Sequence, residues 1–186
     1  MTTKFIKVVT LLLLINCSSS GQFQNSILRQ KIKLLQPFEG SWTAEVKLHA
    51  RNGTIIEETG IYKISWVLDG TYLQWHAFLR DKKDTNKIRN FIIMTTYNPD
   101  SVRYENLYLY RASPMKVFET GVYDAESREY KTAAFIPLED GFRDEYVRTI
   151  TRIVSDSNRI SYIHYSRYKD EKEEILDFEA NLTRIK

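Results

Sequence analysis

Three histidines, one cysteine and a pair of arginines are the side chains that could do chemistry in this chain of 186 residues. His49, His76 and His164 lie on different predicted strands, so no single element presents two of them to a metal. Cys17 is the only cysteine, which leaves the domain after it without a disulfide, a thiol nucleophile or a cysteine metal site. Phosphate-loop, dinucleotide-binding and G-x-S-x-G motifs are absent. The sequence therefore predicts no metal and no cofactor, and it favours a protein that is not an enzyme.

Arg148 and Arg152 alternate with Tyr146 and Ile150 on one face of a predicted strand. If that face pointed into a barrel, the two guanidinium groups would clamp a carboxylate or another anion. Cations without partners are very costly to bury. The sequence favours the alternative, in which the arginines lie outside and the opposite, largely β-branched face is buried: Val147, Thr149, Thr151 and Ile153.

The composition is that of one globular domain with a preference for β-structure. Hydrophobic residues make up 42% and charged residues 27%, and there are 12 Tyr, 9 Phe and 3 Trp. The formal charge is +3, and without Lys4 and Lys7 of the N-terminal segment it is +1. A domain so close to neutral lacks the electrostatic drive that dominates nucleic-acid binding, so we expect no nucleic-acid partner.

The first 16 residues have the layout of a secretory signal peptide. A basic start is followed by the apolar run Val8–Ile15, which is too short to span a bilayer as a helix. Leu14-Ile15-Asn16-Cys17 resembles a bacterial lipobox, although Asn16 stands where a small residue is usual. This interpretation makes Cys17 the lipidated first residue of a lipoprotein in the cell envelope, periplasmic or on the outer membrane.

Two alternatives remain for this segment: secretion after ordinary cleavage within Ser18–Gln22, and an uncleaved anchor. The preferred division of the chain is a signal peptide at 1–16, a serine-rich tether at 17–25 and one domain at 26–186.

After a short helix predicted from Ser26 to Gln36, the hydrophobic period changes to that of β-strands. Ten segments follow, separated by short turn signals that favour antiparallel neighbours: 41–50, 54–67, 71–80, 88–97, 102–110, 115–123, 129–136, 142–154, 159–168 and 174–185. Ten hairpin-linked strands would leave two exposed edges, and closure removes them. The predicted fold is therefore all-β, a single closed up-and-down barrel with a helix at one end.

The dipeptide Asp69-Gly70 predicts a two-residue hairpin turn of type I′. It places Leu68 opposite Thr71, which pairs Trp66 with Leu73 and Ile64 with Trp75. The two indoles are then diagonal neighbours on one face.

Gly40-Ser41-Trp42 opens the first strand directly after the helix and resembles the G-x-W signature of lipocalins and other calycins. In that family an arginine of the last strand packs across the tryptophan, and Arg184 is the matching residue here. The chain also resembles an uncharacterised lipocalin-like family of bacterial secreted proteins, on the Gly-x-Trp opening and the Leu68-Asp69-Gly70 hairpin. Ten strands are more similar to fatty-acid-binding proteins or nitrobindins than to lipocalins. Nitrobindins bind haem through a histidine of the last strand, and this chain has none there.

The function that we expect from this resemblance is binding of a small, largely apolar molecule by an exported, lipid-anchored barrel. The predicted cavity wall consists of Tyr62, Trp66, Leu73, Trp75 and Phe178. The alternatives are a structural or interaction barrel filled by its own side chains and, with no residue signature, an isomerase-like enzyme on this scaffold.

Overall fold

The computed structural model describes residues 25–111, 116–136, 145–154 and 158–186, and the chain forms a closed antiparallel barrel of ten strands. Each strand pairs with its neighbours along the chain, and the first strand also pairs with the last. The predicted all-β closed barrel with a short N-terminal helix is confirmed. The strands are β1 (Gly40–His49), β2 (Ile55–Val67), β3 (Tyr72–Asp81), β4 (Ile88–Asn98), β5 (Arg103–Tyr110), β6 (Lys116–Asp124), β7 (Glu129–Ile136), β8 (Glu145–Val154), β9 (Arg159–Tyr168) and β10 (Ile175–Arg184).

The predictions for the signal peptide and for lipidation of Cys17 concern residues outside the described ranges. No helix within those ranges is long and apolar enough to cross a membrane.

Alternation of side chains along each strand builds one continuous core inside the barrel. In β1, Trp42, Ala44 and Val46 are buried and the residues between them are exposed. In β3, Leu73, Trp75, Ala77 and Leu79 are likewise buried. A period of two places every second side chain on the same face, so one face of each strand can fill the interior while the other meets water.

The β2–β3 hairpin has the predicted register. Trp66 pairs with Leu73 and Ile64 pairs with Trp75. Asp69 and Gly70 both have positive φ values, 55° and 78°, as a type I′ turn requires. Leu68 also has a positive φ of 50°, so the strands end at Val67 and begin again at Tyr72, and the predicted flanking pair of Leu68 and Thr71 falls within the turn. The amide of Thr71 donates to the carbonyl of Leu68 at 3.1 Å and closes the turn.

The N-terminal helix closes one end of the barrel. Residues 25–32 are α-helical, and the chain then tightens into a 3₁₀ helix at Lys33–Phe38. Leu35 and Phe38 have no exposed surface. The ring of Phe38 lies 5.2 Å from that of Trp75, centroid to centroid, and the indole Nε1 of Trp42 donates to the carbonyl of Phe38 at 3.0 Å.

Arg184, near the end of the last strand, ties that strand to the helix. Its Cζ lies 4.0 Å from the ring centroid of Trp42, and its Nη1 donates to the carbonyl of Glu39 at 2.6 Å. Gly40 lies directly below, with φ +139°, and a Cβ there would come within 2.4 Å of Arg184 Nη1. Gly40 therefore provides both a backbone angle that other residues rarely adopt and the space for the guanidinium group.

Candidate functional site: a cavity at the open end of the barrel

A cavity of about 260 Å³ lies at the end of the barrel opposite the helix. Here the odd-numbered strands end and the even-numbered strands begin, so neighbouring strands contribute side chains to one ring. The lining residues are Leu48, Arg89, Phe91, Tyr108, Tyr110, Val117, Glu119, Ile136, Glu145, Val147, Tyr162, His164, Asp177 and Phe178.

Five aromatic side chains form much of the cavity wall. Phe91 and Tyr110 lie 5.9 Å apart, centroid to centroid, and Tyr162 and Phe178 meet edge to face at 5.3 Å. Tyr108 stacks alongside Tyr110 at 6.4 Å. Aromatic rings held in this way give an apolar surface of fixed shape, which suits a ligand site.

Glu119 is the buried carboxylate of the cavity, with 2% of its surface exposed. Its Oε2 accepts hydrogen bonds from the hydroxyls of Tyr108 at 2.9 Å and Thr132 at 2.5 Å, and from the amide of Asn106 at 3.4 Å. Its Oε1 accepts from the hydroxyl of Thr149 at 3.2 Å. These neutral donors offset the cost of removing the carboxylate from water.

His164 joins the same network through Thr149. The imidazole Nδ1 lies 3.0 Å from the hydroxyl oxygen of Thr149, which in turn donates to Glu119. Because that hydroxyl proton is engaged by Glu119, Nδ1 carries the proton and donates to Thr149. In a neutral ring, Nε2 is then an acceptor.

A polar layer separates this cavity from the closed end. Asn106 Oδ1 accepts from the hydroxyls of Thr95 at 2.7 Å and Tyr130 at 2.8 Å. The void beside this layer measures only about 10 Å³. Among the described residues, side chains therefore fill the barrel towards the helix and leave a cavity towards the opposite end.

Arg89 faces inward near the mouth, and its charge is balanced within the barrel wall. It forms an ion pair with the buried carboxylate of Glu58. Its Cζ also lies 5.0 Å from the ring centroid of Phe178. These contacts hold the guanidinium group against the wall, although its Nε is buried without a hydrogen-bond partner.

The rim carries a second group of charges around Arg51. Its Nη1 pairs with Glu171 at 2.8 Å and its Nη2 lies 3.5 Å from Glu145. Asp177 borders the cavity at an irregularity in β10, where the pairing with β9 shifts between Leu176 and Phe178. A bulge of this kind changes the direction of a side chain, and it explains why Asp177 and Phe178, neighbours in sequence, both border the cavity.

The network changes the ionisation of the surrounding tyrosines. Burial raises the pKa of Tyr108, Tyr130 and Tyr162, and the negative charge of Glu119 raises each pKa further. The pKa of Tyr110 is raised by the same two causes. All four phenols are therefore neutral at physiological pH.

Of the five residues predicted to wall a cavity, only Phe178 borders this one. Tyr62 and Leu73 are fully buried in the core. Trp75 packs against Phe38 beneath the helix. Trp66 donates to Glu39 at 3.0 Å and lines a surface groove between the helix and the β2–β3 turn. The hairpin register is as predicted, but this end of the barrel is the filled one.

The structure shows the arrangement of Arg148 and Arg152 that the sequence favoured, outside the barrel, and not the inward clamp. Val147, Thr149, Thr151 and Ile153 of β8 are buried, so the arginines point outward. Arg148 pairs with Glu174 at 2.5 Å and lies over the ring of Tyr165, and Arg152 pairs with Glu129. Neither side chain borders the cavity.

The other two histidines lie away from the cavity. His49 is 3.3 Å from Glu179, and His76 is 2.9 Å from Asn90. Among the described residues, no group of three or more His, Cys, Asp and Glu side chains is placed to hold a metal ion.

Glu119 and Arg89 were missed by the sequence analysis, which singled out neither residue. In β6 the inward residues are Val117, Glu119, Gly121 and Tyr123, while Phe118 and Val122 point outward with 65% and 53% of their surface exposed. Hydrophobic alternation therefore gave no preference for the face that points inward. The signal that was present is a lone acidic residue on the same face of the strand as Val117 and Gly121.

Comparison with known proteins places the chain in a family. A family model described as "Protein of unknown function (DUF1579)" matches residues 28–184. The chain belongs to this family. The match covers the whole barrel, while the family description assigns no activity. No curated protein matches the chain.

Among solved structures, the S-type phycobiliprotein lyase CPES from Guillardia theta has a similar fold. The TM-score is 0.60 at 10% sequence identity, over 88% of this chain and 98% of that chain. An identity this low shows a shared fold and does not transfer a function. The expected closed antiparallel barrel is thus confirmed, and the lipocalin-like family of secreted proteins stays a prediction.

Proposed function

We propose that this protein binds a small organic molecule in the cavity at the open end of its barrel. The observation that carries the proposal is the contrast between the two ends of the interior. The closed end leaves a void of about 10 Å³, whereas the open end leaves about 260 Å³. An unfilled volume lined by aromatic rings is typical of a small-molecule site.

The lining of the cavity has the character of a ligand site. Most of its wall is apolar, and a few polar groups are held in place by hydrogen bonds, chiefly Glu119 and His164. Ligand sites commonly combine apolar walls with a small number of well-oriented polar groups, over volumes of roughly 300–1,000 Å³. The cavity lies just below that range, so it suits a compact ligand or one whose end projects through the mouth.

We also propose that the barrel is exported and held at the cell envelope through a lipid on Cys17. The support for this is the short apolar run before Cys17 and the serine-rich tether after it. A tethered barrel of this kind would present its ligand site outside the cytoplasm.

Native mass spectrometry of two matched variants tests the binding proposal. Val117 borders the cavity, and Val122 lies on the outer face of the same strand. A phenylalanine at position 117 would occupy cavity space, and one at position 122 would not. We expect a co-purifying small molecule on the wild type and on Val122→Phe, and its loss from Val117→Phe. No bound molecule on the wild type, or equal occupancy of both variants, would favour a barrel without a ligand.

A further inference from the structure

The cavity contains a buried carboxylate, Glu119, whose hydrogen-bond partners in the described part of the chain include no cation. Arg89 is paired with Glu58, and Arg51 is paired with Glu171 and lies near Glu145. Within the described residues, all four hydrogen-bond donors to Glu119 are neutral. Each of these two arginines thus pairs with a carboxylate other than Glu119.

From this imbalance we infer that the ligand carries a positively charged nitrogen, which Glu119 binds. The inference rests on the proposed function, because it names the chemical class of the molecule that occupies the cavity. It assigns to Glu119 the role of charge partner and to the aromatic wall the role of packing against the ligand body.

The arrangement of donors leaves room at Glu119 for such a group. Three of the four donors are directed to Oε2, and only Thr149 is directed to Oε1. Oε1, with a single donor, is the less occupied of the two oxygens and can accept a further hydrogen bond. Neutral donors fix the orientation of the carboxylate without balancing its charge.

The aromatic wall favours the same ligand charge. Phe91, Tyr108, Tyr110, Tyr162 and Phe178 border the cavity together with Glu119. The faces of aromatic rings attract cations, with energies that grow when the cation is removed from water. An ammonium group that leaves bulk water for this cavity therefore meets both a carboxylate and ring faces.

The remaining polar groups disfavour an anionic ligand. Glu119, Glu145 and Asp177 all border the cavity, against one guanidinium group, that of Arg89, which pairs with Glu58 and keeps one buried N–H, Nε, without a partner. Because His164 Nδ1 donates to Thr149, its Nε2 is an acceptor in the neutral ring and offers no proton to a carboxylate. Three carboxylates against one paired arginine favour a ligand with a charged N–H donor over a carboxylate.

Three probes of similar size and different charge test the inference: 2-phenylethylammonium, 2-phenylethanol and phenylacetate. Their dissociation constants are measured by chemical-shift titration at neutral pH on the wild type, on Glu119→Gln and on Glu126→Gln. Glu126 is an exposed residue of the β6–β7 turn, at the other end of the barrel. Its substitution changes the net charge equally and leaves the cavity intact.

We expect the wild type and Glu126→Gln to bind the ammonium probe about tenfold more tightly than the alcohol, as a charge-assisted contact allows. In Glu119→Gln this preference should fall to within about twofold, because glutamine has no charge. The affinity for the alcohol should stay the same in all three proteins, which shows that the cavity is intact.

An alcohol or a phenylacetate ion that binds the wild type most tightly would overturn the inference and leave the proposed function standing. A preference for the ammonium probe that persists in Glu119→Gln would overturn the role of Glu119. Failure of all three probes to bind would count against both proposals. If Glu119→Gln does not fold, the order of the three affinities in the wild type still decides the question of ligand charge.

Discussion

Arg184 packs across the indole ring of Trp42, with its Cζ 4.0 Å from the ring centroid. Through this contact, the last strand of the barrel holds both the first strand and the helix that precedes it. The guanidinium group donates at the same time to the carbonyls of Glu39 and Pro37, at 2.6 and 2.9 Å. Closure of the barrel and closure of its end by the helix therefore depend on the same two side chains.

Replacement of Trp42 by alanine should destabilise the barrel by about 3–5 kcal/mol, as other truncations of buried aromatic residues do. The side chain has no exposed surface, and its Nε1 donates to Phe38. Chemical denaturation of the wild type and of Trp42→Ala measures the difference. A loss below about 1 kcal/mol would be typical of a surface position and would contradict the observed burial.

Replacement of Arg184 by lysine should lower the free energy of unfolding by about 1–2 kcal/mol, because an ammonium group cannot donate to two carbonyls in a fork. Arg103→Lys, an exposed position at the start of β5, is the matched control and should be neutral within about 0.5 kcal/mol. If both substitutions change the free energy of unfolding equally, the paired hydrogen bonds of the Arg184 guanidinium group contribute nothing specific to stability.

Alkaline pH should destabilise the protein through its buried tyrosines. Burial raises the pKa of seven of the 12 tyrosines: Tyr62, Tyr104, Tyr108, Tyr110, Tyr123, Tyr130 and Tyr162. A phenol whose pKa is higher in the folded state stabilises that state fully below the unfolded pKa of about 10, and this contribution is lost as the pH rises further.

Phenolate absorbance after a rapid jump to about pH 11 follows this ionisation directly. The buried tyrosines should ionise slowly, together with the loss of the native circular dichroism spectrum. Immediate ionisation of all 12 tyrosines in a protein that keeps its native spectrum would contradict their burial.

Membrane attachment should depend on Cys17. In a bacterial host that processes lipoproteins, the wild type should fractionate with membranes, and Cys17→Ala should appear in the soluble fraction. Cys17 is the only cysteine in the chain, so no disulfide is affected. A soluble wild type whose mature N-terminus lies after Ser18 would indicate ordinary secretion instead.

The barrel could be predicted from the sequence because strand pairing here depends on residues that are close together in the chain. The alternation in β1, the turn at Asp69-Gly70 and the short linkers each constrain neighbouring strands, and closure follows from the number of strands. The pairing of Trp66 with Leu73 is one result of this local information. Gly40, Trp42 and Arg184 were connected through a family resemblance, since they are far apart in the chain.

The proposed ligand site could not be predicted in the same way. Glu119 and its donors come from β5, β6, β7 and β8, and no local pattern places them in one layer. Apolar residues such as Phe118 lie on the outer face of β6, so the sequence pattern does not indicate which face points inward. Which end of the barrel keeps a cavity is decided by long-range packing, because the helix and Trp75 fill the opposite end.

Chemical-shift mapping of 2-phenylethanol on the isotope-labelled protein tests the central claim most directly. Saturable shifts should cluster at the open end, at Phe91, Val117 and Phe178, and should be absent at Leu35 and Trp42 beneath the helix. Phenylalanine at position 117 should weaken the response, and phenylalanine at position 122 should not. Shifts confined to the surface groove at Trp66, or no saturable shift in the folded protein, would contradict a ligand site at the open end of the barrel.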